Sequence, residues 1–181
     1  VTKNAVTSLA VAFIALAAYI SFRFEYKIAI SALVSILHDL IMVLGFFSFF
    51  HLEIDASFLA AILTVVGYSM NEAVVIFDRV RENTRTHRRT DSYEKLAHDS
   101  IAQSIHRSIY TLTTVLFACG ALHFFGGDST KNFSLVMLIG FISGAYSSIC
   151  VDTSLWVVWK NHTSHKRGPH AVEAEPAETE E

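Results

Sequence analysis

Apolar residues run in five long, nearly unbroken stretches, at 5–24, 28–50, 56–77, 104–125 and 133–159. Each meets or exceeds the roughly 17–25 residues needed to cross a hydrocarbon core at about 1.5 Å rise per residue. The pattern predicts an all-α membrane protein whose residues 1–160 form a bundle of five transmembrane helices. Only one connection is long, 78–99. Asp78, Arg79, Arg81, Glu82 and Arg85 sit there at helical spacing, which predicts that the third span continues as an amphipathic helix bending along the cytoplasmic surface. A turn at Thr90-Asp91-Ser92 then offers an N-cap for a short helix over 93–98. Residues 161–181 hold Pro169, Pro176 and five glutamates with little to bury, so a disordered tail is expected there.

With 52% apolar and 17% charged positions and a mean hydropathy of +0.40, a soluble domain is excluded. The first apolar stretch is longer than the roughly 7–15 residues of a cleavable signal and is followed by four more. A chain that opens at Val1 without Met reads as a piece of something longer. Cys119 and Cys150 fall inside apolar runs and read as small buried hydrophobes.

Basic residues decide the orientation, because cytoplasmic loops collect them. Arg23, Lys27, Arg79, Arg81, Arg85, Arg88, Arg89, Lys95, Lys160, Lys166 and Arg167 fall on one side, and only Lys3 and Lys131 on the other. This puts the 22–27 turn, the long connection and the C-terminus in the cytoplasm. Tyr26, Trp156 and Trp159 fall where interfacial aromatics are expected.

Four groups of polar or ionisable residues lie inside the spans: His38-Asp39, Asn71-Glu72, His106-Arg107 and Asp152. Charge inside a bilayer is costly and marks a functional candidate by default. Asp39 lies 11 residues from either end of its span, near the midplane. Counting from the outer ends, Glu72 lies about 24 Å deep and Arg107 about 28 Å. Matched depth on consecutive helices predicts a Glu72–Arg107 ion pair, with Asn71 adding an amide hydrogen bond. Asp39 is left without a cation; burial favours its neutral form, which suits a group that takes up and releases a proton. His38 and Asp152 are secondary candidates, Asp152 reading equally well as an interfacial residue. A bundle-locking ion pair is the competing structural explanation.

On the last span Gly140, Gly144, Ser148 and Asp152 share a face, and small residues at this spacing let helix backbones approach closely. Packing within the bundle is preferred here over dimerisation. Other chemistry is thin: the sequence has no Cys/His metal spacing, no phosphate-binding glycine loop and no nucleophile with a placed base. His51, Glu53 and Asp55 read as a polar turn rather than a cation site.

The run Gly67-Tyr68-Ser69-Met70-Asn71-Glu72, followed by Phe77-Asp78-Arg79-Val80-Arg81-Glu82-Asn83, resembles the signature of the SecF family of protein-export membrane subunits. Arg23-Phe24-Glu25-Tyr26, His38-Asp39, His106-Arg107-Ser108, Phe125-Gly126-Gly127, Phe133-Ser134-Leu135, Leu138-Ile139-Gly140 and Ser147-Ser148-Ile149 extend the likeness to about Trp159. The resemblance implies the last five helices of a six-helix half-bundle of the resistance-nodulation-division (RND) type, without the family's first helix and periplasmic domain. It also implies a non-enzymatic role in the bacterial inner membrane, with no cofactor and protons as the coupling ion. The implied partners are SecD (separate or fused upstream), the SecYEG channel and preprotein substrates in a lipid setting, with no nucleic acid. The family's intramembrane acid and base fall on Glu72 and Arg107. One departure stands out, since the family's usual Asn-Asp is Asn71-Glu72 here, one methylene longer. The alternative function is a proton-coupled RND-type exporter of small molecules or lipids, and a third reading is a structural subunit that recruits partners through 79–99.

Overall fold

The computed structural model describes residues 2–52, 54–86 and 92–166. Among them run six α-helices: α1 (Thr2–Arg23), α2 (Tyr26–Phe49), α3 (Ala56–Thr86), α4 (Tyr93–Phe125), α5 (Asp128–Ser147) and α6 (Thr153–Lys166), the last two joined by a π-helical turn at Ser148–Asp152. Four helical stretches are long and apolar enough to cross a membrane, at Tyr26–Phe49, Ala56–Arg85, Tyr93–Phe125 and Thr130–His162; α1 contributes a shorter apolar stretch, Ala10–Arg23.

The long connection is shorter than its polarity suggests. Helix α3 runs on to Thr86, and the expected short helix over 93–98 is the first turns of α4, continuous with the fourth span. Polar composition ends a membrane span, but it does not end a helix. The Ser92 side chain accepts from the Lys95 N–H at 3.2 Å and caps α4, as its place before Tyr93 predicted; Thr90 and Asp91 lie outside the described residues. Disorder expected from residue 161 is not met at 161–166, because α6 continues to Lys166. Residues 167–181 lie outside the described residues.

Helices α3 and α5 form the centre of the bundle, with α2 and α4 on their flanks, α1 against α2 and α3, and α6 against α2 and α4. Ile36, Val43, Phe47, Phe58, Ile62, Val65, Ile76, Phe77 and Val136 fill the interior. Val34, Leu37, Ile41 and Met42 on α2 and Tyr110, Phe117 and Phe124 on α4 face outward, as apolar side chains bordering lipid do.

The α2–α3 turn is built by local chemistry. His51 adopts a left-handed conformation (φ 52°), and the Leu52 N–H reaches back to the Phe47 carbonyl at 3.0 Å, a C-terminal closure usually given to glycine. Phe47 then meets the Phe58 ring at a 4.7 Å centroid distance. Asp55 caps α3, accepting from the Phe58 N–H at 2.8 Å and from the Ser57 hydroxyl at 2.7 and 2.8 Å. These bonds, the Ser57 hydroxyl first, hold the Asp55 carboxyl below its usual range. A carboxylate lowered on folding stabilises fully at neutral pH and loses its contribution as the pH falls through the lowered value. Asp55→Ala is expected to cost about 1 kcal/mol. Amide exchange at Ser57 and Phe58 should accelerate roughly fivefold, and unchanged exchange would show that the cap is idle.

Candidate functional site: carboxylates within the bundle

Among the described residues three carboxylates are buried inside the helical bundle: Asp39 on α2, Glu72 on α3 and Asp152 on the π-helical turn, with relative exposures of 1%, 3% and 1%. Asp39 is the best supported. The Ser143 hydroxyl donates to its Oδ1 and the Ser147 hydroxyl to its Oδ2, each at 2.9 Å. His38 Nδ1 lies 3.4 Å from Oδ1, with the ring itself half exposed.

Gly144 of α5 lies beside this group: a Cβ there would make only ordinary contact with Asp39 Oδ2, at 3.6 Å, but would collide with Ser69 Oγ of α3. One turn earlier, Gly140 lies against Val65, whose side chain a Cβ would strike. These two glycines therefore form the seam between α3 and α5, and the α2 carboxylate lies beside it.

Asp152 is also held inside. Asp39 and Ser35 lie within electrostatic reach of it, but the Ser35 hydroxyl does not close a geometrically sound hydrogen bond. Both of its carboxylate oxygens, like the buried hydroxyls of Ser69 and Ser148, lack a partner among the described residues. The π turn, where Thr153 Oγ1 reaches the Ser148 carbonyl five residues back at 3.2 Å, widens the helix where this polar group gathers. Such turns recur at functional positions.

The Glu72 site differs from the one the sequence predicts. Among the described residues no ion pair joins Glu72 to Arg107, and both Arg107 and His106 are exposed on α4. Register is the reason. Asn83 Nδ2 bonds Ser100 Oγ at 2.9 Å and Gln103 Oε1 at 3.2 Å, so antiparallel α3 and α4 place Arg107 level with residues 76–79, roughly 8 Å along the axis from Glu72. Counting from the outer ends assumed spans that start flush, and these are staggered. Asn71 gives Glu72 no amide bond either. It is exposed, lining a cavity of about 330 Å³ with Tyr19, Gly67, Met70 and Val74, because successive helical positions diverge by about 100°. The neighbour that Glu72 does meet is Tyr68, one turn back and within electrostatic reach, its ring against Phe141 at 4.6 Å.

Residues 1–162 match the C-terminal family of SecD/SecF protein export membrane proteins. The chain belongs to the SecD/SecF family. It is 42% identical over 174 residues to the protein translocase subunit SecF of Alicyclobacillus acidocaldarius, covering 94% of this chain and 56% of that protein. It is 46% identical over 146 residues to SecF of Pseudomonas aeruginosa, covering 81% and 47%. It is also 41% identical over 167 residues to the protein translocase subunit SecDF of Bacillus subtilis, covering 91% and 22%. Among solved structures, SecDF in its super-membrane-facing form superposes with a TM-score of 0.86 at 36% identity, covering 92% of this chain and 22% of that one. The chain thus spans about half the length of the SecF relatives it matches. Its several apolar helices make it a multi-pass membrane chain, and the family is the one expected from the Gly67–Asn83 signature. Sequence reasoning found the acids but missed Ser143 and Ser147 as the donors of Asp39. Their spacing of four on a helix facing an acidic span was the available signal.

Proposed function

We propose that this chain is the membrane-embedded C-terminal part of a SecF-type subunit of the bacterial Sec export machinery, in the inner membrane with its C-terminus cytoplasmic. With SecD and the SecYEG channel, it uses the proton-motive force to promote the late, extracytoplasmic-side stage of preprotein translocation. One observation carries this reading: Asp39, Glu72 and Asp152 are buried together in a bundle of membrane-crossing helices, with no Lys or Arg ion-paired to any of them among the described residues. Acids kept in such a place, without fixed countercharge, can change protonation as their surroundings change.

Glu72 and Asp39 are the proposed proton carriers, Asp39 exchanging through the Ser143 and Ser147 hydroxyls and His38. Arg107 and Asn71 act at the outer surface of this bundle. Arg107 shares an exposed stripe of α4 with Tyr110, Phe117 and Phe124. A guanidinium on such a face in a bilayer needs a partner, and the proposal assigns that role to the SecD half. Export of a preprotein into inverted membrane vesicles, with the proton gradient intact or collapsed by a protonophore, tests the function. The gradient-dependent increment should vanish in vesicles lacking the subunit; an equal increment without it refutes the proposal.

A further inference from the structure

At the end of the bundle where α1 finishes, a cavity of about 350 Å³ opens between α1, α2, α3 and α6, lined by Arg23, Arg81, Arg85 and Lys160 over a wall of Phe24, Ile28, Val80 and Trp156. Its polar chemistry is one-sided. Arg23 is paired with Asp78 at 3.3 Å and Lys160 with Glu25 at 3.1 Å, while Arg81 and Arg85, one turn apart on α3, have no carboxylate partner among the described residues. Trp156 is 2% exposed, and its buried indole N–H has no acceptor among the described residues. Among the described residues Glu25 is the only acidic side chain in the lining, and Lys160 already engages it. The pocket is partly open, with Arg81 and Arg85 exposed at its mouth, and its apolar floor sets it apart from a flat, solvated basic face.

We propose that this cavity binds a phosphate group, that of an acidic phospholipid, with Arg81 and Arg85 as its principal ligands. Guanidinium groups form forked hydrogen bonds to phosphate oxygens. A basic pocket between membrane helices at their cytoplasmic ends is a recurring place for anionic headgroups. The buried aromatic and aliphatic wall suits the glycerol and first methylenes of a lipid better than it suits a hydrated free ion. The inference takes the cytoplasmic placing of this end from the proposed function and stands whether or not the carboxylates carry protons.

The test is lipid retention by the intact subunit, titrated by native mass spectrometry with phosphatidylglycerol, phosphatidylcholine or inorganic phosphate as the added species. Phosphatidylglycerol should be retained over phosphatidylcholine. The Arg81→Gln/Arg85→Gln double variant should weaken its retention about thirtyfold, roughly fivefold per cation, and Arg81→Lys/Arg85→Lys, which keeps the charge but loses the fork, should recover only part of it. Arg79→Gln, at a residue that pairs with Glu82 at 2.7 Å and does not line the cavity, should stay within about twofold of the parent. Equal retention of phosphatidylcholine, or an equal loss in Arg79→Gln, would overturn the site. Full displacement of the lipid by inorganic phosphate at matched concentration would overturn the lipid assignment.

Discussion

Glu72→Gln should eliminate the gradient-dependent part of export while the subunit still assembles. Gln has nearly the same volume as Glu and makes the same helix, but it cannot ionise. Glu72 is 3% exposed, and no hydrogen bond or ion pair holds its carboxylate among the described residues. The substitution thus breaks no salt bridge and strands no countercharge. Its effect on stability should stay within about 1 kcal/mol, and removing a buried ionisable group can even stabilise. Export into inverted vesicles should therefore fall to the level seen with the gradient collapsed, with unchanged subunit abundance and unchanged complexes on native gels. Undiminished gradient-dependent export in Glu72→Gln vesicles would remove Glu72 from the mechanism. A structural role makes the opposite prediction. If Glu72 only packs inside the bundle, Glu72→Leu retains gradient-dependent export, with or without Arg107→Met on the outer face.

The spans were legible because a membrane allows few alternatives: long apolar runs must be helices, and a charge inside one stands out against its neighbours. That is why Asp39 and Glu72 could be picked from sequence and why both lie inside the bundle. Partners were harder to read. Asp39 takes its hydroxyl donors from residues 104 and 108 positions away, and nothing local in α2 points to them. The Glu72–Arg107 pairing failed on vertical register, which is fixed by Asn83 reaching Ser100 and Gln103 rather than by where hydrophobicity begins. Asn71 and Arg107 were assigned to the interior because they sit within apolar segments, yet a helix in a bundle has an outer face too. The π turn at Ser148–Asp152 had no sequence signal beyond the small and polar residues that occupy it.

The largest stability effect should come from Gly140. A Cβ there would strike both methyl groups and the Cβ of Val65, and Val65 is 1% exposed. A β-branched side chain in a helix keeps essentially one χ1 rotamer, so Val65 cannot swing aside. Gly140→Ala must push α5 away from α3, at about 1–3 kcal/mol. Between membrane helices close packing replaces the hydrophobic effect as the glue, so widening this seam loosens the whole centre of the bundle and withdraws Ser143 and Ser147 from Asp39. Gly144→Ala should be milder, because its nearest obstacle is the Ser69 hydroxyl, which can rotate away. Thermal unfolding in detergent should rank the parent above Gly144→Ala and Gly144→Ala above Gly140→Ala. Adding Val65→Ala to Gly140→Ala should recover most of the loss, since the two substitutions meet at one contact and their energies cannot be additive. Strict additivity in that double variant would mean that Gly140 is kept for some reason other than the close approach of α3 and α5.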